Sequence, residues 1–482
     1  MIPNRHRLSG EFSMLPQTNR RNFLTGSVSA IASQHILKTE GHTQEAKNSS
    51  QMGKLRLASF SFDVTPPKGH SLCGGWIKPV IDIDDPLEAI GYVLSGYGKP
   101  IVICVLDWTG LLNSAHLRWR QRLAEAAGTT PDRVAVQCVH QHNAPFACLD
   151  AQAIVAAQGD LPDIVDPDFF DRCLNTGYNA VKDSIKHSLP VTHIAHGEAP
   201  VKKIAGNRRI IGLNGKVLSQ RGSSSTRPEH QKYPEGLIDS MLKTVTFFNE
   251  DRALVSSHYY ACHPMSYYGD GRVSADFCGI ARRQRQTHDH ECKHLYFNGC
   301  GGNIGAGKYN NGSKEARAML THRLLDGIVA SETSMTRQPI KSFKWATQDI
   351  LPPLNPAFDE TTLMKEISNK GNRTVARNRP AYAVAFMRRM QQQIPITLSS
   401  LHVNDVSILH LPAECFIEYQ LRAQATANDR FVACAAYGDG GPWYIPTRDA
   451  YPQGGYAVNV AWCAPAMDEI LSSGIQTLLT GA

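Results

Sequence analysis

The chain has no apolar run approaching the roughly 20 residues that a membrane-spanning helix needs. It has no run of lysine or arginine, so the basic patch of a nucleic-acid partner is missing and none is expected. Its twelve cysteines form no CxxC pair and no finger-type spacing, which excludes a dithiol redox motif and a cysteine zinc finger. Several lie in apolar contexts (Ile103-Cys104-Val105, Val432-Ala433-Cys434), the setting of buried free thiols, although export would allow one or two disulfides. No Gly-x-Ser-x-Gly elbow occurs, so a serine α/β-hydrolase lacks its nucleophile motif. No internal repeat is visible.

What is present is ordinary for a globular chain. The 482 residues are 42% hydrophobic and 19% charged, enough for one large α/β domain or two to three average ones. Of the net charge of +7, residues 1–54 carry +4, so the remainder is only slightly basic. That terminal segment holds Arg20-Arg21-Asn-Phe23-Leu24, then a short weakly apolar run to Ala30-Ile-Ala32. The order matches a twin-arginine export signal over 1–32 with an A-x-A site, against the plainer reading of a basic tail. Residues 33–52 are polar and read as a linker.

From 53 to 482 the pattern predicts a single large α/β domain. Ile101–Leu106 is a continuous apolar strand of the kind covered on both faces. Leu112, Ala115, Trp119, Leu123 and Ala126 then make one helical stripe, closed by Gly128. Another strand follows over 134–139, and this strand–helix–strand order argues for an α/β core. Amphipathic helices are expected over 167–187 and 316–331, a polar surface loop over 215–236, and a peripheral helical insertion over 357–393.

The strand at 134–139 ends in His140-Gln-His142. In extended chain, residues i and i+2 share a face, so both imidazoles would project together. His263, Glu414 and Tyr444 also follow apolar strand-like runs, and a sheet could gather them at one edge. Imidazole and carboxylate are the usual ligands of a catalytic Zn²⁺ with an open position for water. Each residue also has a plainer reading: His263 as a structural strand end, Glu414 as a helix-start charge, Tyr444 as core.

From Asp63-Val-Thr-Pro-Pro to Tyr456 the chain resembles the catalytic domain of the neutral/alkaline ceramidases. Val139-His140-Gln-His142-Asn-Ala-Pro145 is similar to the family's HTHSGP. Asp85-Pro86-Leu87 resembles its Asp-Pro-Leu, and Asn207-Arg208-Arg209 its Asn-Arg-Ser. His263-Pro264-Met265 with Ser274-Ala-Asp276 resembles HPT with Ser-x-Asp, and Leu411-Pro-Ala-Glu414 resembles LPGE. Tyr444 through Tyr451 to Tyr456 keeps both tyrosine spacings of YxTTxEEYxxQxYEG. The resemblance implies zinc ligands His140, His263, Glu414 and Tyr444, with His142, Arg208 and Tyr456 on the substrate side. It implies hydrolysis of an N-acyl bond in a small molecule or lipid by metal-activated water. Two other outcomes stay open: a zinc esterase, or a metal-containing binding protein without turnover.

Two departures stand out. The family's glycine-rich GDVSPN turn carries a serine assigned as catalytic, whereas Gly305 stands here, which excludes a seryl mechanism at this position. The chain also stops where the family's C-terminal immunoglobulin-like domain would begin, so that domain is not expected. Gly302-x-x-x-x-Gly307-Lys308 nearly spells a phosphate-binding loop, but Tyr309 replaces its Ser/Thr.

Overall fold

Apolar strands build the first of three large sheets. β1 (Arg56–Asp63), β2 (Glu88–Ser95), β3 (Ile101–Leu106) and β4 (Val134–Cys138) lie in the order β4-β3-β2-β1, with Leu189–Pro190 at the far edge. In β1, Ala58, Phe60 and Phe62 face one core while Leu57 faces the other. All six residues of β3 are buried, as a strand covered on both faces requires. Each fully buried Val, Leu or Ile there contributes about 1.5–3 kcal/mol. The computed structural model describes residues 55–481; the expected export signal and linker lie outside them.

The second sheet comprises β5 (His193–Pro200), β6 (Met241–Asn249), β7 (Arg252–Tyr260) and β8 (Lys293–Asn298), ordered β8-β7-β6-β5 and edged by Thr336–Pro339. The third runs β9 (Phe343–Ile350), β10 (Ile396–Val403), β11 (Val406–His410) and β12 (Phe431–Ala435) in sequence order. The first two sheets face each other across one core, where Tyr92 meets Phe247 with ring centroids 5.9 Å apart. Helices α1 (Ser114–Ala127) and α2 (Pro167–Ile185) cover the outer face of the first sheet. Helices α3 (Asp276–His288) and α4 (Lys314–Thr333) cover the second. The class is mixed α/β, as expected.

Helix ends follow local chemistry. α1 stops at Gly128, whose φ of 65° suits a residue without Cβ. α2 starts at Asp166, whose carboxylate accepts from the amides of Asp168 and Phe169, with Pro167 in the first turn.

Two expectations need correction. The helical pair exists as α5 (Glu360–Ser368) and α6 (Thr374–Gln391), but α6 is not peripheral. Its Tyr382 and Phe386 are fully buried, because the Ala- and Met-rich stripe hidden among its arginines packs into the main core. The polar stretch 215–236 is not a simple surface loop either. Arg221 within it is almost wholly buried, its guanidinium donating to the carbonyls of Asn207, His230, Tyr233 and Pro234. All twelve cysteines are buried, unpaired thiols. Among the described residues no helix is long and apolar enough to cross a membrane.

Each large sheet contains one parallel pair: β3 with β4, β7 with β8, β11 with β12. The carboxyl ends of these pairs are tied together. The Cys138 amide donates to the Tyr437 carbonyl, and the Ala436 amide to the Asn298 carbonyl. The Asn298 side chain accepts from the Cys262 amide and donates to the Val139 carbonyl. Loops leaving three sheets are thereby held at one point.

Candidate metal centre

The histidine pair does not sit in extended chain. β4 ends at Cys138, and His140 adopts a left-handed φ of 78°. Such backbone in a non-glycine residue costs of order 1–3 kcal/mol and persists only where surroundings enforce it. Here the Trp108 carbonyl takes the His140 amide, and the Thr109 carbonyl accepts from Nδ1 at 2.6 Å. A carbonyl can only accept, so Nδ1 carries the proton and Nε2 presents a lone pair. The turn, rather than strand alternation, brings the His142 ring to 4.9 Å from His140. Ala413, Tyr437 and Trp443 also have positive φ, so four such residues surround the site.

His263 follows β7, and Glu414 lies in a two-residue strand paired with Tyr444–Ile445. Glu414 Oε2 stands 3.5 Å from His140 Nε2 and 3.7 Å from His263 Nδ1. All three atoms are buried and none has a hydrogen-bond partner. Leaving a buried polar atom unsatisfied costs about 1–3 kcal/mol, and a single cation among them would satisfy all three. His140, His142 and His263 also bring ligand atoms within 4.8 Å of one another. The arrangement is one that could hold a metal ion.

Burial pushes the His142 and His263 imidazoles well below their usual range; Arg208 and their imidazole neighbours push the same way. Both are therefore neutral, the form that ligates metal or accepts a proton. Arg208 Nη1 donates to the Tyr444 hydroxyl at 3.2 Å. Burial and Glu414 push the Tyr444 phenol well above its usual range, against the pull of Arg208. Tyr456 meets Tyr444 edge to face at 5.8 Å. Gly305 bridges to His263 along the backbone, and a Cβ placed on it would lie 3.4 Å from the Arg208 side chain. All seven residues singled out by sequence thus gather in one cluster.

Sequence reasoning missed four contributors. Tyr437 stacks on His140 at 4.4 Å, with a buried hydroxyl that lacks a partner. Its position just past β12 carries the same strand-end signal as His140, which could have found it. Thr109, Asn298 and Arg379 act through contacts with no local pattern. The phosphate-loop reading fails: Lys308 is tied to the carbonyls of Gln231 and Tyr233, and α4 starts only at Lys314. The glycines serve close packing instead, since a Cβ on Gly302 would strike the Glu414 carbonyl.

The described residues superimpose on a neutral ceramidase from Pseudomonas aeruginosa with a TM-score of 0.65. The fold is shared with neutral ceramidase. That match covers 89% of this chain and 75% of the ceramidase at 15% sequence identity. A second solved structure, described as a ceramidase complexed with C2, matches over the same shares with a TM-score of 0.65 at 12% identity. No family model matches the chain. No curated protein matches it either.

Proposed function

We propose that the chain is an exported, zinc-dependent hydrolase that cleaves an amide (N-acyl) bond of a small molecule or lipid. The observation that carries this reading is the convergence of three buried, unpartnered donor atoms, from His140, His263 and Glu414. An N/N/O donor set suits Zn²⁺, and Tyr444, beside Glu414, would complete it. Zinc held there lowers the pKa of a water to near about 7 and polarises a carbonyl.

The chain's own residues do the rest. Neutral His142, with its unpartnered Nδ1, accepts a proton from the attacking water and returns it to the departing nitrogen. The water oxygen bonds to the acyl carbon, the C–N bond breaks, and a carboxylate and an amine leave. Arg208, its Nε unpartnered, stabilises the carbonyl oxygen as that oxygen gains negative charge. Tyr456, 38% exposed, lines the way in. The ceramidase fold and the twin-arginine-type segment support hydrolysis and export respectively.

The first test is metal content of the purified chain with and without His263→Ala. One zinc per chain, lost in the variant together with amide hydrolysis, is expected. Metal-free wild type under zinc-replete conditions would remove the mechanism. Zinc binding with tight amide binding and no turnover would identify the binding protein for which the absent serine at Gly305 speaks.

A further inference from the structure

Arg379 lies on α6, at the outer end of the cluster. Its guanidinium stands over three rings, 5.4 Å from Trp76, 6.0 Å from Trp443 and 5.6 Å from Tyr456. One N–H donates to the Tyr456 hydroxyl at 2.7 Å. Among the described residues Arg379 has no carboxylate partner, and the rest of its N–H fork meets no protein acceptor. Its neighbours on α6 behave otherwise. Arg377 is paired with Asp160, Arg388 with Glu360 and Arg389 with Asp439. An arginine left unpaired among paired ones, set among aromatic rings, is suited to receive an anion.

The turn of α6 that carries it is anchored. Arg377 grips Asp160 through two bonds of 2.8 and 2.9 Å and the Ile367 carbonyl through a third. Asn378 donates to the Gly74 carbonyl. A continuous path leads inward from Arg379 through Tyr456 and Tyr444 to Arg208. Along this path one carboxylate, Glu414, stands with two guanidiniums, Arg208 and Arg379, neither with an ion-pair partner within 4.0 Å among the described residues. A divalent cation would add to the positive excess. A neutral substrate would leave that excess uncompensated.

We infer that the substrate amide carries an anionic group, carboxylate or phosphate, which seats on Arg379 at the mouth of the site. The inference rests on the hydrolase reading and names its substrate class. The reacting carbonyl would lie inward, by Arg208 and the histidines, with the anion at the aromatic rim.

The test compares three amides of one fatty acid: an N-acyl amino acid, the matching uncharged N-acyl amino alcohol, and the phosphomonoester of that alcohol. Both kcat/KM and equilibrium binding to metal-stripped protein are measured for wild type, Arg379→Gln, Arg379→Lys and, as a control on the same helix, Arg388→Gln. One or both anionic amides should exceed the uncharged one by about ten- to a hundredfold, the worth of a charged hydrogen bond. Their order names the anion. The ratio should collapse in Arg379→Gln, partly survive in Arg379→Lys, and stay at the wild-type value in Arg388→Gln. Equal handling of the three amides by wild type, or an unchanged ratio in Arg379→Gln, overturns the inference while leaving the hydrolase intact. Preferential binding of anions without turnover of any amide sinks the hydrolase reading and keeps the anion site.

Discussion

Two glycines near the site illustrate how single residues set its tolerance. Gly305 has no positive φ, and the nearest atoms to a Cβ there would be the Arg208 side chain at 3.4 Å and Ser223 Oγ at 3.6 Å, ordinary contacts. Gly305→Ala should therefore fold with a thermal midpoint within about 3 °C of wild type, since the change is worth well under about 1 kcal/mol. Gly302 faces the Glu414 and Cys415 carbonyls without room for a methyl group. Gly302→Ala should displace the Glu414 strand, cost about 1–3 kcal/mol, and weaken metal retention. Differential scanning calorimetry with metal analysis of both variants checks the pair; a metal-replete Gly302→Ala protein of native stability would refute the packing account. The site residues were legible through the motifs that resemble those of the ceramidases, since imidazole, carboxylate and phenol near strand ends each also have a structural use. Thr109 was not legible, because it acts through a backbone carbonyl that any residue could supply.

Among the elements, the join between sheets matters most for function. Asn298, fully buried at the end of β8, ties the start of the His263 loop to the end of the His140 strand. Asn298→Ala strands a buried amide at Cys262 and a buried carbonyl at Val139. The expected loss is about 2–4 kcal/mol of unfolding free energy, accompanied, on the proposed reading, by weaker metal binding because the loops bearing His140 and His263 are freed. Urea denaturation and competition with a chelator measure the two effects. Loss of stability with undiminished metal affinity would show that the loops are held by something else. The strands themselves were legible from alternation and apolar runs. The burial of α6 was not, since Arg388 and Arg389 gave the segment a surface-like composition while its Ala and Met stripe packs inward.

For the whole molecule, acid is the expected weakness. Burial pushes His116, His294 and His402 down to about 4 and His410 to about 3. The 3.6 Å approach of His116 to Asp439 is accordingly a contact of a neutral ring, despite the carboxylate. In the unfolded chain these histidines take up protons near about pH 6.5, whereas the folded chain resists until about pH 4. The unfolded state thus binds more protons in this window, and stability falls as pH drops through it. The upper bound for four such groups is roughly 5 kcal/mol per pH unit between about pH 6 and 4.5. Denaturation midpoints measured from pH 7.5 to 4.5 should fall steeply below about pH 6.5; a flat profile would mean these rings are protonated when folded. The sequence alone determined the α/β class and most element positions, because periodicity is a local property, and its resemblance to ceramidase motifs named the seven residues that gather. Only the tertiary structure decided that three sheets deliver their strand ends to one point, that His140 reaches it through a strained turn, and that an unpaired Arg379 stands at the entrance. Those features arise from contacts between residues far apart in the chain, such as Asn298 with Val139 and Arg379 with Tyr456, and distant pairs leave no periodic trace in a single sequence.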